Sequence, residues 1–299
     1  VLKTQKILLS GLLQRNQQVK VALIIGAFWL LCFYFINASV DNLPEYSPFL
    51  FLGTLGAFFA NATGAGGGVI FIPAFNQLGF TEVQSVATSF AIQCFGMTAG
   101  AITWYKYYQS QKSHSSSWQG FHLIIVVCSI CSVIGVWLIY GNQLSAPASL
   151  HVSFSWFSLF LGLSIFTSVY LLKTNRVNNH LLLIDWLMLV VISLLGGAIT
   201  AWLSVGVGEL IAIYLIVRRF DVTMAVSTAV VISAITVWAG IWQHLLVDFQ
   251  VYWQVVFFAG PGAIIGGVLA KKLVMYMSVT RLKLFFAFWL FVIGGVGIT

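Results

Sequence analysis

Long apolar runs separated by short polar connectors set the pattern of this chain. Runs at residues 21–38, 83–105, 120–140, 153–172, 223–246, 252–270 and 282–298 each predict a helix close to the ~20 residues needed to cross a bilayer. Two further runs, 48–78 and 184–217, are too long for one ordinary helix, and each is interrupted near its middle by glycine. The first interruption reads Gly64-Ala65-Gly66-Gly67-Gly68 and the second Gly206-Val207-Gly208-Glu209. Lipid cannot satisfy the backbone amides such a break exposes, so it is tolerated only where protein buries it or a polar cavity meets it. Each interrupted run is either one broken crossing or a hairpin that returns to its starting side.

Charge decides between those two. Only 7% of residues are charged and 60% are hydrophobic, which excludes a water-soluble core and predicts an all-α polytopic membrane protein. The net charge of +7 comes from short clusters beside apolar spans, so it reads as a topology signal and not as a nucleic-acid surface. With the N-terminus cytoplasmic and both interrupted runs folded as re-entrant hairpins, all 14 Lys and Arg residues fall on the inside. Asp41, Glu45, Glu82 and Asp248 then lie outside, Asp185 and Asp221 inside, and Thr299 faces outward. A full crossing of the first interrupted run would throw Lys106 and Lys112 outward. The expected architecture is an inverted repeat, each half a hairpin plus three crossings, over residues 48–173 and 184–298. Residues 21–38 form an extra helix. Residues 1–20, with Lys3, Lys6, Arg15 and Lys20 around Leu8, Leu9 and Leu12, form an amphipathic surface helix or a basic tail, and no cleavable signal peptide is evident.

Internal similarity supports two halves. Gly64 to Pro73 aligns with Gly206 to Ile211, Val86-Ala87-Thr88-Ser89 with Val226-Ser227-Thr228-Ala229, and Ala99-Gly100 with Ala239-Gly240. The later blocks share an offset of 140, with a two-residue gap after the glycines, and Gly135 answers Gly266 or Gly267. These blocks resemble the sulfite exporter TauE/SafE family of membrane transporters, whose halves each carry a GxGGG-type motif followed by an A-x-TS block. Gly64 to Gly68, Pro73, Gly79 and Ala87-Thr88-Ser89 are similar to the first copy, and Gly206, Gly208, Ser227-Thr228 and Gly240 to the second. The resemblance spans roughly 48–298 and implies movement of sulfite, thiosulfate, an organosulfonate or another small anion. The second copy departs from the pattern at Glu209 and Leu210, where glycines are expected.

An anion at bilayer depth needs hydrogen-bond donors, and free N–H groups at helix N-termini supply them. Gly64, Gly66, Gly67, Gly68, Gly206 and Gly208 are therefore the candidate cradle, with tight helix packing as the plainer reading. The hydroxyls of Thr88, Ser89, Ser227 and Thr228 either face the solute or bond back to their own helices. Gln93, one turn beyond Ser89, shares its face. Asn61 is a further donor or a cap of the broken helix. Glu209 is the acidic residue expected within the embedded region, where a carboxylate marks a pathway or a proton relay; it is the candidate for proton coupling, with neutralisation of Arg218 or Arg219 as the alternative.

His244, near the outer end of a helix whose repeat mate carries Trp104, is a solvated interfacial residue or a relay. Cys128 and Cys131 form a CxxC with no neighbouring cation, which fits inert packing. No GxxxxGK[ST] sequence occurs, and His114, His122, His151, His180 and His244 are too scattered for a metal site, so neither a cofactor nor an enzyme is expected. The leading function is a secondary transporter of a sulfur oxyanion or organosulfonate. An anion channel on the same scaffold and a small-carboxylate transporter are the alternatives. The expected partners are a small anion and the lipid bilayer, a homo-oligomer is compatible, and the expected location is the bacterial inner membrane.

Overall fold

The computed structural model describes residues 43–111, 118–146, 149–171, 180–276 and 278–296. The sequence expectations for 1–20 and 21–38, and for the outward Thr299, lie outside the described residues. A short helix, Leu43–Tyr46, precedes a second unit that begins at Ser47 and holds everything below. Its helices are α1 (Pro48–Thr63), α2 (Gly68–Gln77), α3 (Glu82–Gln111), α4 (Phe121–Gly141), α5 (Leu150–Leu171), α6 (Leu183–Leu203), α7 (Val207–Val217), α8 (Val222–Gln243), α9 (Trp253–Tyr276) and α10 (Val279–Val296). A π-helical turn, His244–Asp248, extends α8.

All described elements are helical, as a chain with so few polar side chains requires. A helix satisfies its own backbone groups, which hydrocarbon would leave unpaired. Five of these helices, α3, α4, α6, α8 with its π turn, and α9, are long and apolar enough to span a membrane. The protein is an integral, multi-pass membrane protein. Exposed side chains on α4 (Leu123, Val126, Ile130, Ile134, Leu138) and α6 (Leu183, Leu187, Val191, Leu195) follow helical spacing, which gives each an apolar stripe on its outer face.

Helices α3 and α8 pack on each other, and among the described residues each carries four buried polar side chains, Ser85, Thr88, Ser89 and Gln93 on α3 and Ser227, Thr228, Ser233 and Thr236 on α8. Around them α1 packs on α9 and α4 on α6, α3 on α9 and α4 on α8, and α5 on α10. Close contacts depend on small residues. Gly135 of α4 abuts the Leu194 carbonyl and Ala198 amide of α6, and Gly266 of α9 abuts the Thr54 carbonyl and Phe58 amide of α1. Those two docking sites stand 140 residues apart. Of the two sequence candidates for Gly135's counterpart, Gly266 therefore has the matching contact.

Both interrupted runs double back. The Phe49 ring at the start of α1 lies 6.4 Å from the Phe75 ring near the end of α2. Asp185 in the first turn of α6 accepts from the Tyr214 hydroxyl and the Arg218 guanidinium at the far end of α7. The first arm of the second run is longer than a short re-entrant segment needs: α6 has 21 residues, about 31 Å at 1.5 Å per residue.

Candidate functional site

The two glycine breaks meet. Helix α1 ends at Gly64, whose φ of +84° suits glycine, and α6 ends at Ser204, a serine held at φ +59°. The two helices after the breaks begin at Gly68 and Val207. A β-carbon on Gly68 would sit 2.6 Å from the Ser204 carbonyl oxygen, and one on Gly208 would strike the Gly64 carbonyl oxygen. Each break thus seats a glycine against the other's helix-ending carbonyl. Gly64 and Ser204 stand 140 residues apart, as do Gly79 and Arg219, the left-handed residues that close α2 and α7. A constant offset of 140 therefore describes these helix ends, and the two-residue gap expected from the glycine alignment is not needed.

The amides of Gly66, Gly67, Gly206 and Val207 are not bare, in contrast to the sequence expectation. Glu209, buried in the first turn of α7, spans both breaks: Oε1 accepts from the Gly66 N–H at 2.6 Å and Oε2 from the Gly206 N–H at 2.8 Å. With the carboxylate ionised, both are charge-assisted bonds of the stronger kind. The groups that meet the Glu209 carboxylate are backbone N–H groups, so backbone dipoles answer it. The alternative, a pair with Arg218 or Arg219, is not what the structure shows: the two Glu209 oxygens accept from the Gly66 and Gly206 N–H groups, and Arg218 pairs with Asp185 at 2.5 Å.

Gln93 of α3 is the second tie. Its Oε1 accepts from the Gly67 N–H at 2.8 Å, and its Nε2 donates to the carbonyl and hydroxyl of Ser204 at 2.9 and 2.8 Å and lies 3.1 Å from Ser89 Oγ. Ser204 in turn donates to Ser89 Oγ at 2.9 Å, and Thr200 Oγ1 accepts from the Val207 N–H at 3.1 Å. A Gln93→Leu variant strands the Gly67 amide and the Ser204 carbonyl in a buried site, at about 1–3 kcal/mol for each group. The expected outcome is a clear fall in the melting temperature in detergent; an unchanged melt would mean that water reaches both groups.

The other hydroxyls divide. Ser227 and Thr228 donate to the carbonyls of Thr223 and Met224 within their own helix, at 2.6 and 2.7 Å. Thr88 Oγ1 accepts from the Tyr252 N–H at 3.0 Å, next to the start of α9. Ser89 alone of the four joins the break network. Asn61 does not cap α1: its Nδ2 donates to the Ala57 and Gly96 carbonyls, while its own carbonyl accepts from Trp104 Nε1 at 3.0 Å. The matching carbonyl near the end of α6, Ala201, accepts from the Tyr140 hydroxyl at 3.0 Å. Both satisfy helix-end carbonyls with no partner inside the helix.

Ser204, Thr200 and Ser233 are participants that the sequence reading did not name. Ser204 was hidden by the gapped alignment, although the uniform offset from Gly64 points to it. Ser233, 140 residues after Gln93, is buried beside Gly208 and its Oγ has no protein partner. His244, expected to be solvated or a relay, is 3% exposed, has its ring centroid 4.9 Å from that of Phe90 at a 52° tilt, and lies 3.1 Å from the Tyr140 hydroxyl and 2.7 Å from Asp248. Its burial follows from aromatic partners on distant helices. Cys128 is a free, buried thiol and Cys131 is free and half-buried.

A family model described as Sulfite exporter TauE/SafE matches residues 49–296. The chain belongs to the TauE/SafE family. No curated protein and no solved structure matches it. TauE/SafE proteins are membrane exporters of sulfite and related sulfur compounds, and the matched segment contains α2 to α10, both breaks, Gln93 and Glu209.

Proposed function

We propose that this TauE/SafE protein is a secondary transporter that carries a small anion, sulfite or another sulfur oxyanion or an organosulfonate, by alternating access between two inverted halves. One observation carries the reading: amides from both breaks converge on a single carboxylate, so the junction recognises a negatively charged oxygen pair at the middle of the chain's two interrupted runs. The unpartnered Ser233 hydroxyl beside Gly208 adds a further donor. Sulfite and sulfonate oxygens are acceptors of the same kind as carboxylate oxygens.

Residues 48–173 and 184–298 are the two halves. Exchanging α1 to α5 for α6 to α10 turns the α1–α9 pairing into α6–α4 and the α3–α9 pairing into α8–α4, and leaves α3–α8 and α5–α10 unchanged. That exchange, the 140-residue spacing of the helix ends, and the reciprocal seating of Gly68 and Gly208 support a pseudo-two-fold relation. With the N-terminus cytoplasmic, the hairpins re-enter from opposite sides of the membrane. The substrate site then comprises the break glycines Gly64, Gly66, Gly67, Gly68, Gly206 and Gly208, with Ser89 and Gln93 adjoining them and Thr88, Ser227 and Thr228 one layer out.

Glu209 couples a proton to this movement. A proton on either oxygen weakens that oxygen as an acceptor and adds an O–H donor that neither the Gly66 nor the Gly206 N–H can accept, so protonation of Glu209 loosens the tie between the breaks. The helices packed on α7 bring Asp185, Asp221 and His244, and each has another partner: Asp185 holds Arg218 and Tyr214, Asp221 caps α8 through the Met224 N–H, and His244 faces Asp248. The described part of α5 brings no titratable side chain to α7.

Proteoliposomes holding the full chain test the proposal through uptake of sulfite, sulfate, thiosulfate, sulfonates and carboxylates, with and without a pH gradient. Saturable, gradient-dependent sulfite or sulfonate flux is expected. Saturable uptake of carboxylates alone moves the assignment to a small-carboxylate transporter. Unsaturating conductance indifferent to pH identifies a channel, and no flux of any anion overturns the reading.

A further inference from the structure

We infer that the Glu209 carboxylate and the transported anion are alternate occupants of the same amide cradle, so that the protein carries its own competitive ligand. The inference rests on the transporter reading above and adds to it who holds the site when no substrate does. Glu209 does more than cap its own helix. Capping α7 requires only the Gly206 N–H, which sits three residues back and takes Oε2. The second oxygen reaches the Gly66 N–H, 143 residues away in sequence, in the break of the other half. One carboxylate therefore fills the position where a two-oxygen face of an incoming anion would meet donors from both halves. The neighbouring tie differs: Gln93 is neutral, takes the Gly67 amide, and closes on Ser204 without adding charge. Ser233 Oγ, buried and without a protein partner beside Gly208, is a further donor at this junction that Glu209 leaves unused.

Two anions cannot share the Gly66 and Gly206 amides, because like charges a few ångströms apart in a buried site repel strongly. The substrate must therefore displace the carboxylate. That makes Glu209 a specificity-determining residue. It sets a threshold that an anion with weak acceptor oxygens fails to pass, and it keeps the breaks clamped together when the site holds no solute. Whenever a resident ligand holds the competent state, the apparent affinity of the incoming one falls by the fraction of time the site is free.

The test is binding of sulfite and of acetate, measured calorimetrically at one fixed pH, to the full chain in detergent as wild type, Glu209→Ala and Glu209→Gln. Glu209→Ala is expected to bind sulfite at least about tenfold more tightly than wild type, as removal of an occupant present nine-tenths of the time requires. It is also expected to gain acetate binding that the wild type lacks, since acetate restores the missing carboxylate. Glu209→Gln keeps the volume and one acceptor oxygen, so it is expected to fall between the two, and it carries the test if the alanine variant does not fold. Sulfite affinity unchanged or weakened in both variants, with no acetate binding, while the wild type still binds sulfite, overturns the inference and leaves Glu209 a capping residue in a working transporter. Absence of sulfite and acetate binding in all three proteins overturns the transporter reading of the site itself.

Discussion

Gly208→Ala is expected to eliminate measurable anion transport while Gly79→Ala leaves it largely intact. At Gly208 the added β-carbon meets the Gly64 carbonyl oxygen and the Ser233 hydroxyl. The first of these is backbone, fixed by the end of α1, so the contact is relieved only by moving α7 away from α1. That shift pulls the Gly206 amide and Glu209 away from the Gly66 amide and opens the junction. Overpacking of this kind costs about 1–3 kcal/mol, and if the cost falls on the state that holds the anion, affinity drops about fivefold to 150-fold. Gly68→Ala is expected to act the same way from the other half, through the Ser204 carbonyl. The control differs in kind. Gly79 has nothing within 4 Å of its would-be β-carbon and carries only the strain of φ +78°, a cost of about 1–2 kcal/mol that stays local to the α2–α3 turn. Uptake assays on reconstituted variants, normalised to the amount of folded protein, separate the two. Equal uptake by Gly208→Ala and Gly79→Ala would show that the breaks do not need to touch.

The legible and illegible parts of this molecule divide along a physical line. Helix class and membrane character were readable because an apolar chain has few ways to satisfy its backbone, and the ends of α4 and α8 fall close to the ends of their apolar runs, whereas α9 runs six residues past the end of its run. The positions of the breaks were readable because glycine interrupts those runs at Gly64 and Gly206. Glu209 stood out as an acid in an apolar setting. What Glu209 bonds to was not readable, since the Gly66 amide belongs to another hairpin and sequence spacing carries no information on a contact 143 residues distant. Ser204 was missed for a subtler reason: identity matching paired Gly64 with Gly206, whereas backbone conformation pairs Gly64 with a left-handed serine. The burial of His244 was not readable because it depends on Phe90 and Tyr140, which only the packing of α3 and α4 against the α8 segment brings near. Buried polar contacts between distant segments are the part of a membrane protein that hydropathy leaves out.

Arg218→Met is expected to lower the melting temperature by several degrees and to depress transport with it, and the double variant Asp185→Asn with Arg218→Met to recover most of the stability. Asp185 is fully buried in the first turn of α6. Its carboxylate accepts from the Leu182 N–H at 2.9 Å, from the Tyr214 hydroxyl at 2.7 Å, and from Arg218 Nε and Nη2 at 2.5 and 3.1 Å. Arg218 follows directly on α7, so this cluster fastens the entrance of the second hairpin to its exit and fixes how far α7 presses its N-terminus toward Gly66. Removing only the guanidinium leaves a buried carboxylate with two neutral donors. Breaking a buried pair from one side costs about 3–5 kcal/mol, and because the Arg218 side chain is 35% exposed, about 2–3 kcal/mol is the better expectation. The asparagine in the double variant keeps an acceptor for Leu182 and Tyr214 and carries no charge to desolvate, so the two changes together cost less than their sum. Thermal melts of the two single variants and the double variant complete the cycle. If Arg218→Met melts like the wild type, or the two changes simply add, the pair lies in water and does not hold the hairpin closed.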